Sequence, residues 1–401
     1  MVSPMARTPP PADTRTSTGT GTGRITSLDI LRGVVMVLMA IDHVRCYAGV
    51  PAGGPTAGLF FTRWVTHFCA PVFVFLAGTG AFLHGQAAGD RSRLQRYLVT
   101  RGLMLVALEL TIVRFSWTFN FEYTRFTLFG VIWMLGWCMV LLAGLVRWRA
   151  STIGWLGLGL IVLQPIFSYP PRLLPASARH YAGWIWEFIY PAGIDTPEAI
   201  NALYTIVPWI GVMAAGYAFG AIVSRARDSR SPGFDRWCLR VGLVSTALFL
   251  VAGGLLVFLA PADADAPPAL FRLLNQQKYP ASPLYLLMTL GPAIALLPFA
   301  GRARGRVADV FATFGRVPMF YYLLHIPAIH LAALAVMYLR GSGIHHEWYA
   351  TAPYTSVPDE HQWSLPLLYL VFVVVVAVLY LPCRWYAREK ARCKRAWMAW
   401  L

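Results

Sequence analysis

Ten stretches of this chain are apolar over roughly the 20 residues that a helix needs to cross a bilayer. They fall at residues 27–47, 60–84, 97–116, 126–147, 152–169, 203–224, 239–260, 282–301, 318–339 and 365–384. Inside hydrocarbon each backbone N–H and C=O must be bonded within the chain, so runs of this length fold as helices. Of the 401 residues, 57% are hydrophobic and 13% charged, about half the charge of a typical soluble domain. The expected fold is therefore all-α: one polytopic membrane protein of about ten transmembrane helices. Trp117, Trp148, Trp184, Trp348 and Trp363 fall near predicted span ends, as interfacial aromatic belts do.

A formal charge of +16 raises the question of nucleic acid. The positions of the basic residues answer it. With both termini in the cytoplasm, 24 of the 34 Lys and Arg lie on the inside. The outside loops hold six: Arg125, Arg172, Arg179, Arg272, Lys278 and Arg340. That asymmetry is the positive-inside pattern, and it accounts for most of the basic excess without a nucleic-acid partner. Residues 1–24 read as a disordered cytoplasmic tail, rich in Pro, Thr and Gly and lacking the apolar core of a cleavable signal. Residues 25–385 read as the transmembrane domain and residues 386–401 as a basic cytoplasmic tail. The six cysteines form no CxxC pair and no cluster with zinc spacing, so they read as free thiols, and no metal site is expected.

The first stretch departs from its neighbours by holding Asp29, Arg32, Asp42, His43 and Arg45. Each charge in a bilayer costs several kcal/mol, about 2.5–3.5 on insertion scales, so a span that only anchors would not hold so many. On a helical wheel Asp29, Arg32 and His43 fall within about 60° of one another, with Met36 and Met39 on the same side. Asp42 and Arg45 form a second pair at the outer end. A histidine at this depth is the natural general base at neutral pH, which makes His43 the first catalytic candidate. The second stretch brings Arg63, Thr66 and His67 into the same outer half, and the short link of residues 48–58 makes the two helices neighbours. Pro71 has no N–H for the carbonyl of His67, which leaves that oxygen open to a ligand or a side chain. The ninth stretch adds Tyr321, His325 and His330 around Pro327, and Lys278 lies at the outer mouth. Glu109 is the one other acid at membrane depth. Gly211, Gly216 and Gly220 suit close helix packing. The outside loops 170–202 and 340–364 are the longest, with room for binding determinants. Two classes fit these residues: a membrane enzyme with a histidine base, or a proton-coupled transporter of a small solute or lipid precursor.

The segments SLDILRG with a histidine ten residues after Gly33, THFCAPVFVFLAG, GVIWMLGWCMVLL, VPWIGVMAAGYAFG, KYPASPLYLLMTLGP and MFYYLLHIPAIHL resemble the bacterial heparan-alpha-glucosaminide N-acetyltransferase-like family of integral membrane acyltransferases. The resemblance runs over most of residues 24–385. It implies transfer of an acetyl group from cytoplasmic acetyl-CoA to an amine or hydroxyl of a glycan or glycolipid on the outer face of a bacterial inner membrane, with a homo-oligomer as an option. In the wider set of such enzymes an LRG-type motif precedes a histidine at this spacing, which maps onto Arg32 and His43. The lysosomal relative is associated with a histidine in its first lumenal loop; residues 48–58 hold none, so an acetyl-histidine intermediate does not carry over. The expected site therefore has His43, Asp42 and His67 in catalysis, Arg32 and Asp29 toward acetyl-CoA, and Arg63, Tyr321, His325 and Lys278 toward the acceptor.

Overall fold

Four charged groups in one helix need protein around them, and the architecture supplies it for α1, Thr26–Tyr47. The computed structural model describes residues 25–53, 56–228, 233–260 and 266–393, so the predicted N-terminal tail lies outside the described residues, as do residues 394–401. Around α1 pack α3 (Cys69–Ala88), α12 (Pro283–Arg302), α13 (Arg306–Arg316), α14 (Pro318–Leu339) and α15 (Leu365–Arg392). Asp29 and Arg45 are buried against these neighbours.

A short α2 (Ala57–Trp64) leads through a tight turn at Val65–Phe68 into α3. Next come α4 (Arg91–Leu108), a π turn at Glu109–Val113, and α5 (Arg114–Thr118). Then follow α6 (Val131–Leu145), α7 (Ala150–Val162), a short α8 (Ala176–Ala182) and α9 (Ile206–Asp228). Beyond them lie α10 (Gly233–Leu259) and α11 (Ala269–Leu274), ahead of α12. The only sheet among the described residues is a two-residue parallel pairing of Thr127–Leu128 with Ile200–Asn201.

Each of the ten predicted stretches contains a helix, yet not every one is a membrane span by composition. Among the described residues six helical segments are long and apolar enough to cross a bilayer: 57–88, 206–226, 233–259, 283–302, 318–339 and 365–392. A bent pair, 150–162 with 164–173, would make a seventh. The reasons for the shortfall are physical. α1 carries its charges, α4 carries Arg91, Arg93, Arg96 and Arg101, and α6 has only 15 residues. The apolar helices make this a multi-pass membrane protein, with α1 as a polar element enclosed by them.

Glycine decides how closely the inner helices approach. A Cβ on Gly216 of α9 would overlap the carbonyl of Phe75 on α3, and one on Gly78 would overlap that of Met213. Gly211 stands likewise against Gly157 of α7. These contacts are what the small residues of α9 predicted. A further helix, α13, is absent from the predicted spans. It lies against the inner half of α1, where Gly33 and Gly315 leave no room for a side chain between the two backbones.

Candidate active site

The structure brings α1, α2 and α14 together around a cavity of about 520 Å³. Its wall includes Met36, Met39, Asp42, His43 and Arg45 from α1, Arg63, Thr66 and His67 from the second stretch, and Tyr322 from α14. Lys278 and Tyr279 join from the loop before α12, and Pro353, Tyr354, Thr355 and Gln362 from the long loop before α15. The mouth reaches the surface at Pro51 and Ala52, which are exposed. Of the two long outside loops, 340–364 supplies wall residues, and 170–202 does not.

His43 is held from behind. Its Nδ1 lies 2.7 Å from Nε2 of His325, which is fully buried. Nδ1 of His325 lies 2.6 Å from the carbonyl oxygen of Tyr322. A carbonyl only accepts, so His325 carries its proton on Nδ1 and offers a lone pair at Nε2. His43 then donates from Nδ1, and its own lone pair sits on Nε2, which has no partner among the described residues. Trp117 meets the ring edge-on, with centroids 4.8 Å apart. Two hydrogen bonds and one aromatic contact thus fix both the tautomer and the orientation of an imidazole at the cavity wall.

His67 shows the same pattern one helix away. Its Nδ1 donates to the carbonyl of Arg63 at 3.0 Å, which leaves Nε2 as an acceptor. The carbonyl of His67, opened by Pro71, receives the Tyr285 hydroxyl at 2.7 Å, the side-chain capture that the proline predicted. Asp42 is bound to Arg45 at 2.9 Å, and Arg45 also donates to the carbonyl of Val50 at 2.7 Å. The cation of Lys278 stands over the rings of Tyr279 and Tyr204, 5.1 and 5.9 Å from their centroids. Burial alone would lower its pKa; the Tyr279 and Tyr285 phenols and Asp42 outweigh that and hold it above the usual lysine value.

Several expectations are corrected. Tyr321 and His325 do not line the cavity: both are fully buried, with their rings stacked 5.3 Å apart, and His325 is spent on His43. Neither can touch an acceptor. Asp42 does not orient His43, because its carboxylate is engaged by Arg45; His325 does that work. Arg32 and Asp29 lie away from the cavity wall, about 17 and 21 Å along α1 from His43. Arg32 binds Asp29 at 3.3 Å and the carbonyl of Gly315 at 3.2 Å, so this pair clamps α13 onto α1. His330 packs 3.8 Å from the Phe119 ring behind the wall. Sequence reasoning gave Glu109 no role, yet it lines the cavity. The π turn that begins there sets its carboxylate against the first residues of α6, and a Cβ on Gly130 would overlap it. A π turn leaves no periodicity signal, which is why the placement was not legible.

The cysteines Cys46, Cys69, Cys138, Cys238, Cys383 and Cys393 are all free thiols, as the sequence implied. Among the described residues no group of three His, Cys, Asp or Glu could hold a metal ion.

With this geometry in place, comparison with known families is decisive. The model of the heparan-alpha-glucosaminide N-acetyltransferase catalytic domain matches residues 24–260. The chain belongs to that family. No curated protein matches it. Membership in the heparan-alpha-glucosaminide N-acetyltransferase family carries a membrane acetyltransferase activity in general. The match covers α1 to α10, and with them His43, Arg63, His67 and Glu109. Lys278, Tyr322 and His325 lie beyond it and reach the site only through the fold.

Proposed function

We propose that this protein transfers an acetyl group from acetyl-CoA, which it meets at the inner face, to an amine or hydroxyl of a glycan or glycolipid bound on the outer side of a bacterial inner membrane, with both termini inside. The observation that carries this reading is the chain from the Tyr322 carbonyl through His325 to His43, which presents Nε2 of His43 as a lone pair at the wall of a polar cavity. A transporter needs groups that pass protons onward. Here His325 ends on a backbone carbonyl, which suits a fixed base better than a relay.

The bound thioester supplies an acetyl carbon activated toward attack. His43 Nε2 takes the proton of the acceptor amine or hydroxyl as it attacks and gives that proton to the departing thiolate, so the base is restored each turn. Tyr322 and Lys278 are donors on the same wall, suited to the negative charge that grows on the carbonyl oxygen. His67, with its acceptor nitrogen also at the wall, helps hold the acceptor. At the other end of α3 and α4 a second cavity of about 270 Å³ is lined by Arg91, Arg149 and Trp148, with Asp90 beside them. Two guanidinium groups there suit the phosphates of acetyl-CoA.

Replacing His43 with Ala should abolish acetyl transfer, with normal expression and an unchanged thermal midpoint of the purified protein. A variant with wild-type turnover removes His43 from the mechanism.

A further inference from the structure

Beside the main cavity lies an annex of about 100 Å³ that shares Ala52, Arg63 and His67 with it. Its walls carry hydrogen-bond donors: the Arg63 guanidinium, the indole of Trp64 and the amide of Asn275. No carboxylate lines it among the described residues. The Trp64 Nε1–H is buried with no hydrogen-bond partner, a costly state for a donor. Arg63 forms no ion pair among the described residues, and its guanidinium stands beside Gly53, whose φ of +78° favours glycine. The annex is also built to hold its shape. Phe271 of α11 stacks on Phe60 of α2 with centroids 4.4 Å apart, which fixes Asn275, at the end of α11, opposite Arg63 and Trp64. The space holds several waters or one tetrahedral oxyanion.

We propose that this annex is an anion subsite, taking a sulfate, phosphate ester or carboxylate group of the acceptor while the acceptor's nucleophile lies at His43. The proposal rests on the acetyltransferase reading for its acceptor, but not for the anion chemistry. A guanidinium with an indole N–H and an amide beside it suits a multi-oxygen anion. At the junction with the main cavity, the acceptor nitrogen of His67 would take a neighbouring hydroxyl of the same ligand. The same chemistry would also bind a lipid phosphate, so the test separates the two sources.

The full chain is placed in phosphatidylcholine nanodiscs and its thermal midpoint followed with sodium sulfate, against sodium chloride at matched ionic strength. We expect a saturable rise that disappears in Arg63→Gln and weakens in Trp64→Phe, which keeps an aromatic ring there but removes the N–H with the five-membered ring that carries it. A rise of equal size in both variants is general salt exclusion and overturns the subsite, as does no rise in the wild type. Acetyl transfer is then compared with glucosamine and glucosamine 6-sulfate. Arg63→Gln should raise KM for the sulfated acceptor about tenfold or more beyond any change in KM for glucosamine. An equal change for both acceptors overturns the assignment. A sulfate effect that vanishes in phosphatidylglycerol nanodiscs, with no preference between acceptors, gives the annex to a lipid headgroup and overturns its place on the acceptor. Sulfate stabilisation with no transfer to any acceptor would leave the subsite standing and refute the acetyltransferase reading.

Discussion

A histidine acts as a base only through the nitrogen it has free, so what binds the other nitrogen matters as much as the residue itself. For His43 that partner is a second histidine at 2.7 Å, in the place that a carboxylate often takes. A neutral partner adds no charge to a buried site and still fixes the tautomer. Truncating His325 should therefore act on the chemical step. We expect His325→Ala to lower kcat by about 10²-fold, within the span of a positioned general base, with KM little changed. Steady-state kinetics on a variant shown to be folded by its thermal midpoint checks this; a change confined to KM would count against the orienting role. His43 and His67 were legible as candidates because titratable groups at membrane depth are rare and costly. The partnership of His43 with His325, 282 residues apart, was not: periodicity places a side chain on a helix face but says nothing of which helix it meets.

At the level of elements, the inner half of α1 depends on one close approach. The backbones of Gly33 and Gly315 pass so near that a Cβ on either would overlap a carbonyl oxygen of the other helix. Arg32 ties the same crossing to the carbonyl of Gly315. Gly33→Ala or Gly315→Ala must push α13 away from α1, and we expect a loss of about 1–3 kcal/mol or more from overpacking. A lowered unfolding midpoint in detergent, with both variants similar, is the measurement; wild-type stability in either would show that the crossing is not tight. The segment SLDILRG carries an acid–Arg pair at helical spacing, and the pair was expected to face the donor. α13, whose polar face hid it from any search for apolar spans, turns that pair to structural use. Likewise six or seven of the ten predicted spans are apolar enough on composition among the described residues, and the charges of α1 and α4 set those two apart from them.

Across the whole molecule, the main cavity and the one lined by Arg91 and Arg149 lie at opposite ends of α3: Phe73 lines the first and Phe82 the second, about 14 Å apart along the helix axis. This separation fits a reaction whose two substrates come from opposite faces. If Arg91 and Arg149 hold the nucleotide end of the donor, the double variant Arg91→Ala, Arg149→Ala should raise KM for acetyl-CoA about tenfold or more. KM for acetyl-pantetheine, which lacks the nucleotide, should not move. Equal effects on both donors would remove the inner cavity from donor binding.

The sequence alone determined that the chain is helical and lies in a membrane, because hydrocarbon permits few other ways to bond the backbone. It also determined that polar groups of the first two helices share one end, because their short link leaves them little choice. Which groups face the cavity, which lie behind it and which clamp helices together was decided only by packing. Those outcomes turn on contacts between residues hundreds of positions apart, such as His43 with His325 and Arg32 with Gly315. No local pattern records such contacts, since each depends on how the remaining helices fill the space between.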